Sequence, residues 1–143
     1  MRFLIAAMLL AAGLFVSFAP VQAGNQLAVA IGGYDAVSYQ GGEPARGEAR
    51  FNHFWNGAVW YFASEANRNA FRDDPEAFAP QFDGYCAWAA SQGYKAPGDP
   101  LVYAVEGDKL YLQVHPRAQT LWEEDRTGNI AKGEENWPRI HPF

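Results

Sequence analysis

The chain has 143 residues, 49% of them hydrophobic, with 11 Lys+Arg against 16 Asp+Glu. That is a globular composition of about one domain's length, and a net charge of -5 leaves no basic stripe for nucleic acid. One cysteine, Cys86, excludes an internal disulfide and any C-x-x-C redox or zinc pair.

Residues 1–23 read as a secretory signal. Arg2 supplies the positive start, residues 3–16 the apolar run, Pro20 a break and Val21-Gln22-Ala23 the small-x-small cleavage pattern. The apolar run is short against a bilayer span of ~20 residues, so no transmembrane span is expected after cleavage. Residues 24–143 are then expected as a single domain, periplasmic or secreted. Cleavage also removes Met1 and Met8, the only methionines. Without thioethers, the soft or borderline ligands left are Cys86, His53, His115 and His141.

Residues 24–33 look like a lightly packed lead-in, with the fold starting at Tyr34-Asp35-Ala36-Val37-Ser38-Tyr39 and a turn at Gly41-Gly42-Glu43-Pro44. Residues 50–55 and 58–63 are aromatic-rich runs around Asn56-Gly57, a strong hairpin signal, and alternation puts Phe51, His53 and Trp55 on one face. Ser64 is placed to cap a helix over residues 65–71, and Asp74-Pro75 to start another turn. Asp83 is expected to cap a short helix over residues 84–91, with Gly93 after its end. Residues 101–105 and 109–114 predict a second hairpin around Gly107-Asp108. Pro116 opens a last helix with Ala118, Leu121 and Trp122 as its apolar stripe, ending near Gly128. The fold class is α+β: a small antiparallel sheet from two hairpins, with short helices packed on one side.

Cys86 is the first candidate for chemistry, because the predicted helix puts it in a first turn, where free N–H groups make a sulfur reactive. Asp83 opposes that, and the plain alternative is a small buried hydrophobe. Export favours use, since an unpaired thiol in an oxidising space is a liability unless buried, ligated or used. His53 is the second candidate, a ligand or a hydrogen-bonded strand residue. His115 reads as a cap at a strand-to-helix junction, and His141 as a solvated residue of the terminal tail. Carboxylates such as Asp73-Asp74 and Glu123-Glu124-Asp125 look like solvated helix ends, not an opposed catalytic pair. No G-x-S-x-G elbow, phosphate loop, H-E-x-x-H or C-x-x-C-H occurs, so the balance is against an enzyme. Aromatic residues make up 15% of the chain, and they serve either a small core or an exposed platform for sugars and other ligand rings.

Gly33 to Tyr39, then Trp60-Tyr61-Phe62-Ala63-Ser64 with Asn67-Arg68 and Phe71, resemble the opening of the YHS-domain family. Asp74-Pro75-Glu76-Ala77-Phe78 continues the pattern, and Gly84-Tyr85-Cys86-Ala87 through Gly93 is its most specific segment. Asp99-Pro100, Gly107 to Leu112 and Asn136-Trp137-Pro138 complete it, in the order of longer exported bacterial members. The resemblance to shorter YHS modules implies cysteine-rich metal binding, but their cysteines fall at Ser38, Ala63 and Asn67, so that site does not carry over. In the longer members the Gly-Tyr-Cys position, selenocysteine in some, implies redox or soft-metal chemistry at Cys86 alone.

The leading expectation is therefore an exported, non-enzymatic YHS module binding a ligand or soft metal around Tyr85 and Cys86. His53 would be a further metal ligand, and a copper or zinc ion the candidate cofactor. A one-cysteine thiol redox protein is the alternative. A structural or partner-binding module with a buried Cys86 is third.

Overall fold

Asn56 and Gly57 hold φ angles of 49° and 77°, the left-handed pair that a two-residue hairpin turn requires. They join β1 (Glu48–Trp55) to β2 (Ala58–Phe62), with Trp55 opposite Ala58 and His53 opposite Trp60. Residues 28–141 are described in this computed structural model. The signal read over residues 1–23 lies outside them. On β1, Phe51, His53 and Trp55 are half-buried while Asn52 and Phe54 are exposed, as the alternation predicts.

The Ser64 side chain accepts the Asn67 N–H at 3.1 Å and starts α1 (Glu65–Asp73). This helix buries Phe71 against the first hairpin, its ring 4.9 Å from Trp60 and 5.0 Å from Phe62. Asp74 caps the short 3-10 turn Pro75–Ala77, as expected. In the second half Gly107, with φ 64°, turns β3 (Asp99–Glu106) into β4 (Lys109–Gln113). Burial of Phe82, Ala87, Ala90, Ala104, Tyr111 and Trp122 between this hairpin and the helices forms a second cluster. Tyr39, Leu110 and Leu112, packed against Ile31 and Tyr34, connect the halves. Fold class is α+β as predicted, and each hairpin makes its own two-stranded sheet.

Buried Asp35 fastens the first half. Its Oδ1 accepts the Val37 N–H at 2.8 Å, and its Oδ2 accepts the Ala63 N–H at 2.9 Å and the Asn67 Nδ2 at 2.7 Å. Tyr39, also buried, donates its hydroxyl to the Pro100 carbonyl at 2.8 Å. Burial first, then the neighbouring Tyr103, pushes the Tyr39 phenol far above the ordinary tyrosine range.

Three local expectations need correction. The lead-in is packed at its end: Val29 bridges to Val59, and the 3-10 turn Ala30–Gly33 sets Ile31 against the core. The short helix begins later than expected. Phe82 and Asp83 turn left-handed (φ 55° and 50°) in the 3-10 turn Gln81–Gly84, and Tyr85 and Cys86 are extended, each making a single bridge. α2 therefore spans only Ala87–Ser91, closed by Gly93 at φ 87° with the Tyr94 N–H on the Ala89 carbonyl. The last helix is two. α3 (Pro116–Glu123) is capped by His115, whose Nδ1 accepts the Ala118 N–H at 3.0 Å, and α4 (Arg126–Ile140) restarts under an Asp125 cap. Gly133 lets α4 lie close, because a Cβ there would stand 2.7 Å from the Phe82 ring. Among the described residues, no helix is long and apolar enough to cross a membrane.

Candidate functional site

Cys86 is the residue before α2, not a member of its first turn, and it is fully buried. Its sulfur is the cap: it accepts the Ala89 N–H at 3.5 Å, and the thiol donates to Gln113 Oε1 at 3.3 Å. The same oxygen accepts the Trp88 N–H at 3.0 Å, which fixes the amide orientation. Gln113 Nε2 then points away and has no hydrogen-bond partner among the described residues. Ala89 and Ala118, with Trp88, Ala96 and Val114 partly buried beside them, close the hydrocarbon wall.

Tyr85 and Cys86 are adjacent extended residues, so their side chains diverge. The Tyr85 ring lies 5.8 Å from Trp137, under the Lys95 ammonium. His53 sits on β1 with its ring 6.3 Å from Phe71, in the first hairpin's aromatic cluster. The structure does not assemble Tyr85, Cys86 and His53 into one site. Nor do the surroundings of Cys86 fit a copper or zinc ion. Beside the Ala89 N–H that it accepts, the sulfur has the Gln113 amide oxygen as its polar contact, and among the described residues no group of three or more His, Cys, Asp or Glu could hold a metal.

A second place, missed in the sequence, gathers polar groups and open space. Between the first hairpin, the Gln81–Gly84 turn and the end of α4 lies a hollow of about 260 Å³. Trp55 and Trp60 form its walls, with ring centroids 5.7 Å apart and planes inclined at 59°. Asn56, Asp83 and His141 stand around it. Asp83 is gripped from both sides: Asn56 Nδ2 donates to its Oδ1 at 3.2 Å, and His141 Nε2 lies 2.6 Å from its Oδ2. His141 is solvent-exposed, as expected, and is in addition tied to Asp83 by this contact. Its ring also lies 5.2 Å from Trp137, one turn earlier in α4. A shallower hollow of about 620 Å³ continues outward past Asp83 to Glu76, Lys109, Glu134 and Trp137.

The backbone is unusual at the same spot. Among the described residues, four that are not glycine have positive φ: Ile31 (40°), Asn56 (49°), Phe82 (55°) and Asp83 (50°). Ile31, Asn56 and Asp83 line the inner hollow and Phe82 the outer one. For a β-branched residue such as Ile31 that conformation is costly, of order 1–3 kcal/mol. The dipeptides Asn56-Gly57 and Asp83-Gly84 are the sequence signals that mark two of these bends, because Asn and Asp tolerate left-handed backbone best. Compared with known proteins, the chain matches no family model, no curated protein and no solved structure.

Proposed function

We propose that the chain is an exported, non-catalytic binding module of the YHS type. Its ligand sits in the Trp55–Trp60–Asp83–His141 cleft, and Cys86 supports the interior. The observation that carries this reading is that the four non-glycine residues with positive φ among the described residues all border two adjoining hollows, Ile31, Asn56 and Asp83 the inner and Phe82 the outer, beside two tryptophans and a hydrogen-bonded polar cluster. Strain of that kind persists where surrounding structure enforces it, and it concentrates at ligand sites. The YHS likeness is supported by a separate detail. Ser38, Ala63 and Asn67, where the shorter modules have cysteines, all hydrogen-bond to Asp35: Ser38 Oγ to its carbonyl, and the other two to its carboxylate. The secretory pattern of residues 1–23 supports export.

Cys86 is a poor centre for either of the chemistries first expected of it. Redox cycling needs a reachable thiolate, and this sulfur is enclosed and already bonded. A ligand-observed NMR screen of small polar and aromatic fragments tests the reading, run on residues 24–143 with and without His141→Ala. Fragments that bind the native chain and lose their signal in the variant are expected. Hits indifferent to His141→Ala but abolished by Cys86→Ala, or no hits, overturn it.

A further inference from the structure

We infer that the group received by the inner hollow is a small alkylammonium cation, seated against the indoles of Trp55 and Trp60 with Asp83 as its counter-charge. The inference rests on the reading of the cleft as the ligand site and adds the chemical class.

Trp55 and Trp60, packed on each other with centroids 5.7 Å apart, both line this space, and tryptophan is the strongest aromatic partner for a cation. The remaining wall is largely hydrocarbon from Ile31, Ala58 and Pro80. A primary ammonium would bury donors there without acceptors. An alkylated one has few or none to satisfy and brings methyl surface that fits such a wall. The acceptors stand at the rim, where Asp83 is held in place by Asn56 and His141. These contacts lie at the exposed rim, and a carboxylate already oriented by them loses less rotamer freedom when a cation arrives.

Charge around the mouth agrees. Glu76, Asp83 and Glu134 line the outer hollow against Lys109 alone among the lysines and arginines, and His141 is the other basic group facing Asp83. A path bordered by three carboxylates and one ammonium attracts cations and repels phosphates or carboxylates. No arginine lines either hollow, so the usual bidentate receptor for an anion is missing from the walls.

The test is a pair of probes with the same shape and different charge: choline and its neutral carbon analogue 3,3-dimethyl-1-butanol. Each is titrated into residues 24–143 and into Asp83→Asn, with the indole and amide signals followed by NMR. Asn is at home at positive φ, so this substitution removes the charge while keeping the turn. Choline is expected to bind about tenfold or more tighter than the alcohol, with the preference collapsing in Asp83→Asn. Equal affinity for both probes at the cleft would overturn the cation class and leave the cleft standing as a ligand site. Binding of neither probe would also overturn it, and the fragment screen then judges the cleft by itself. A choline preference that survives Asp83→Asn would refute the assigned counter-charge and, with it, the inference.

Discussion

The assignment of Cys86 as an interior cap makes a prediction about the order of two substitutions. Cys86→Ala removes the acceptor of the Ala89 N–H, the thiol bonded to Gln113 and the packing of a fully buried sulfur. Loss of a helix cap costs about 1 kcal/mol, and the lost apolar contact about 1 kcal/mol more, so about 2 kcal/mol in total. Cys86→Ser gives up some packing yet keeps one donor and one acceptor facing the same two partners, and should cost about 1 kcal/mol. The serine variant should therefore be the more stable. If the sulfur were only a hydrophobe, the order would reverse, because a buried hydroxyl would be penalised and alanine tolerated. Urea unfolding followed by tryptophan fluorescence resolves the two cases. With a slope of about 2 kcal/mol/M, the variants should differ by roughly 0.5 M in midpoint. An alanine variant as stable as the serine one, or more so, refutes the cap. Iodoacetamide labelling of the native protein should also be slow and governed by opening of the fold, since the sulfur is enclosed.

Asp35→Asn forces an amide group onto at least one of the three donors that Asp35 accepts, and should cost about 2–3 kcal/mol in the same assay; a loss under about 0.5 kcal/mol would contradict its structural role. Gly133→Ala sets a helix-propensity gain of about 1 kcal/mol against a Cβ at 2.7 Å from the buried Phe82 ring, and overpacking of about 1–3 kcal/mol should win. A higher melting temperature for that variant would show that Phe82 yields easily. Tyr39 remains protonated in the fold at pH values where the unfolded chain releases its proton, so the unfolded state binds fewer protons and stability falls as pH rises above about 10. Tyr111, raised chiefly by burial, adds to the same trend. Midpoints measured from pH 8 to 11 should drop less steeply in Tyr39→Phe than in the native chain. Parallel curves would refute the contribution of Tyr39.

Both hairpins are legible because their turns are local: Asn56-Gly57 and Gly107 supply positive φ whatever surrounds them. Caps at Ser64, Asp74 and His115 are legible for the same reason, each bonding three residues ahead. α4 is hidden because Gly128, Gly133 and Pro138 resemble breakers. Gly128 instead gives its N–H to the Asp125 cap, Gly133 makes room for Phe82, and Pro138 falls near the helix end. The start of α2 is misplaced because Asp83 resembles a cap, whereas its positive φ commits it to a bend and leaves the capping to a sulfur two residues before Trp88. The cleft is the least legible part. Its hydrogen-bonded pair, Asp83 and His141, are 58 positions apart, and Ile31 reaches the hollow through a strained turn that no hydrophobic pattern announces.

Location of the ligand is the central claim, and an amide and indole chemical-shift map of residues 24–143 with the strongest fragment bound tests it most directly. Shifts are expected at Trp55, Asn56, Trp60, Asp83 and His141, with Cys86, Gln113 and Ala118 undisturbed. Shifts centred on Cys86 and Gln113 beside a silent cleft would contradict it.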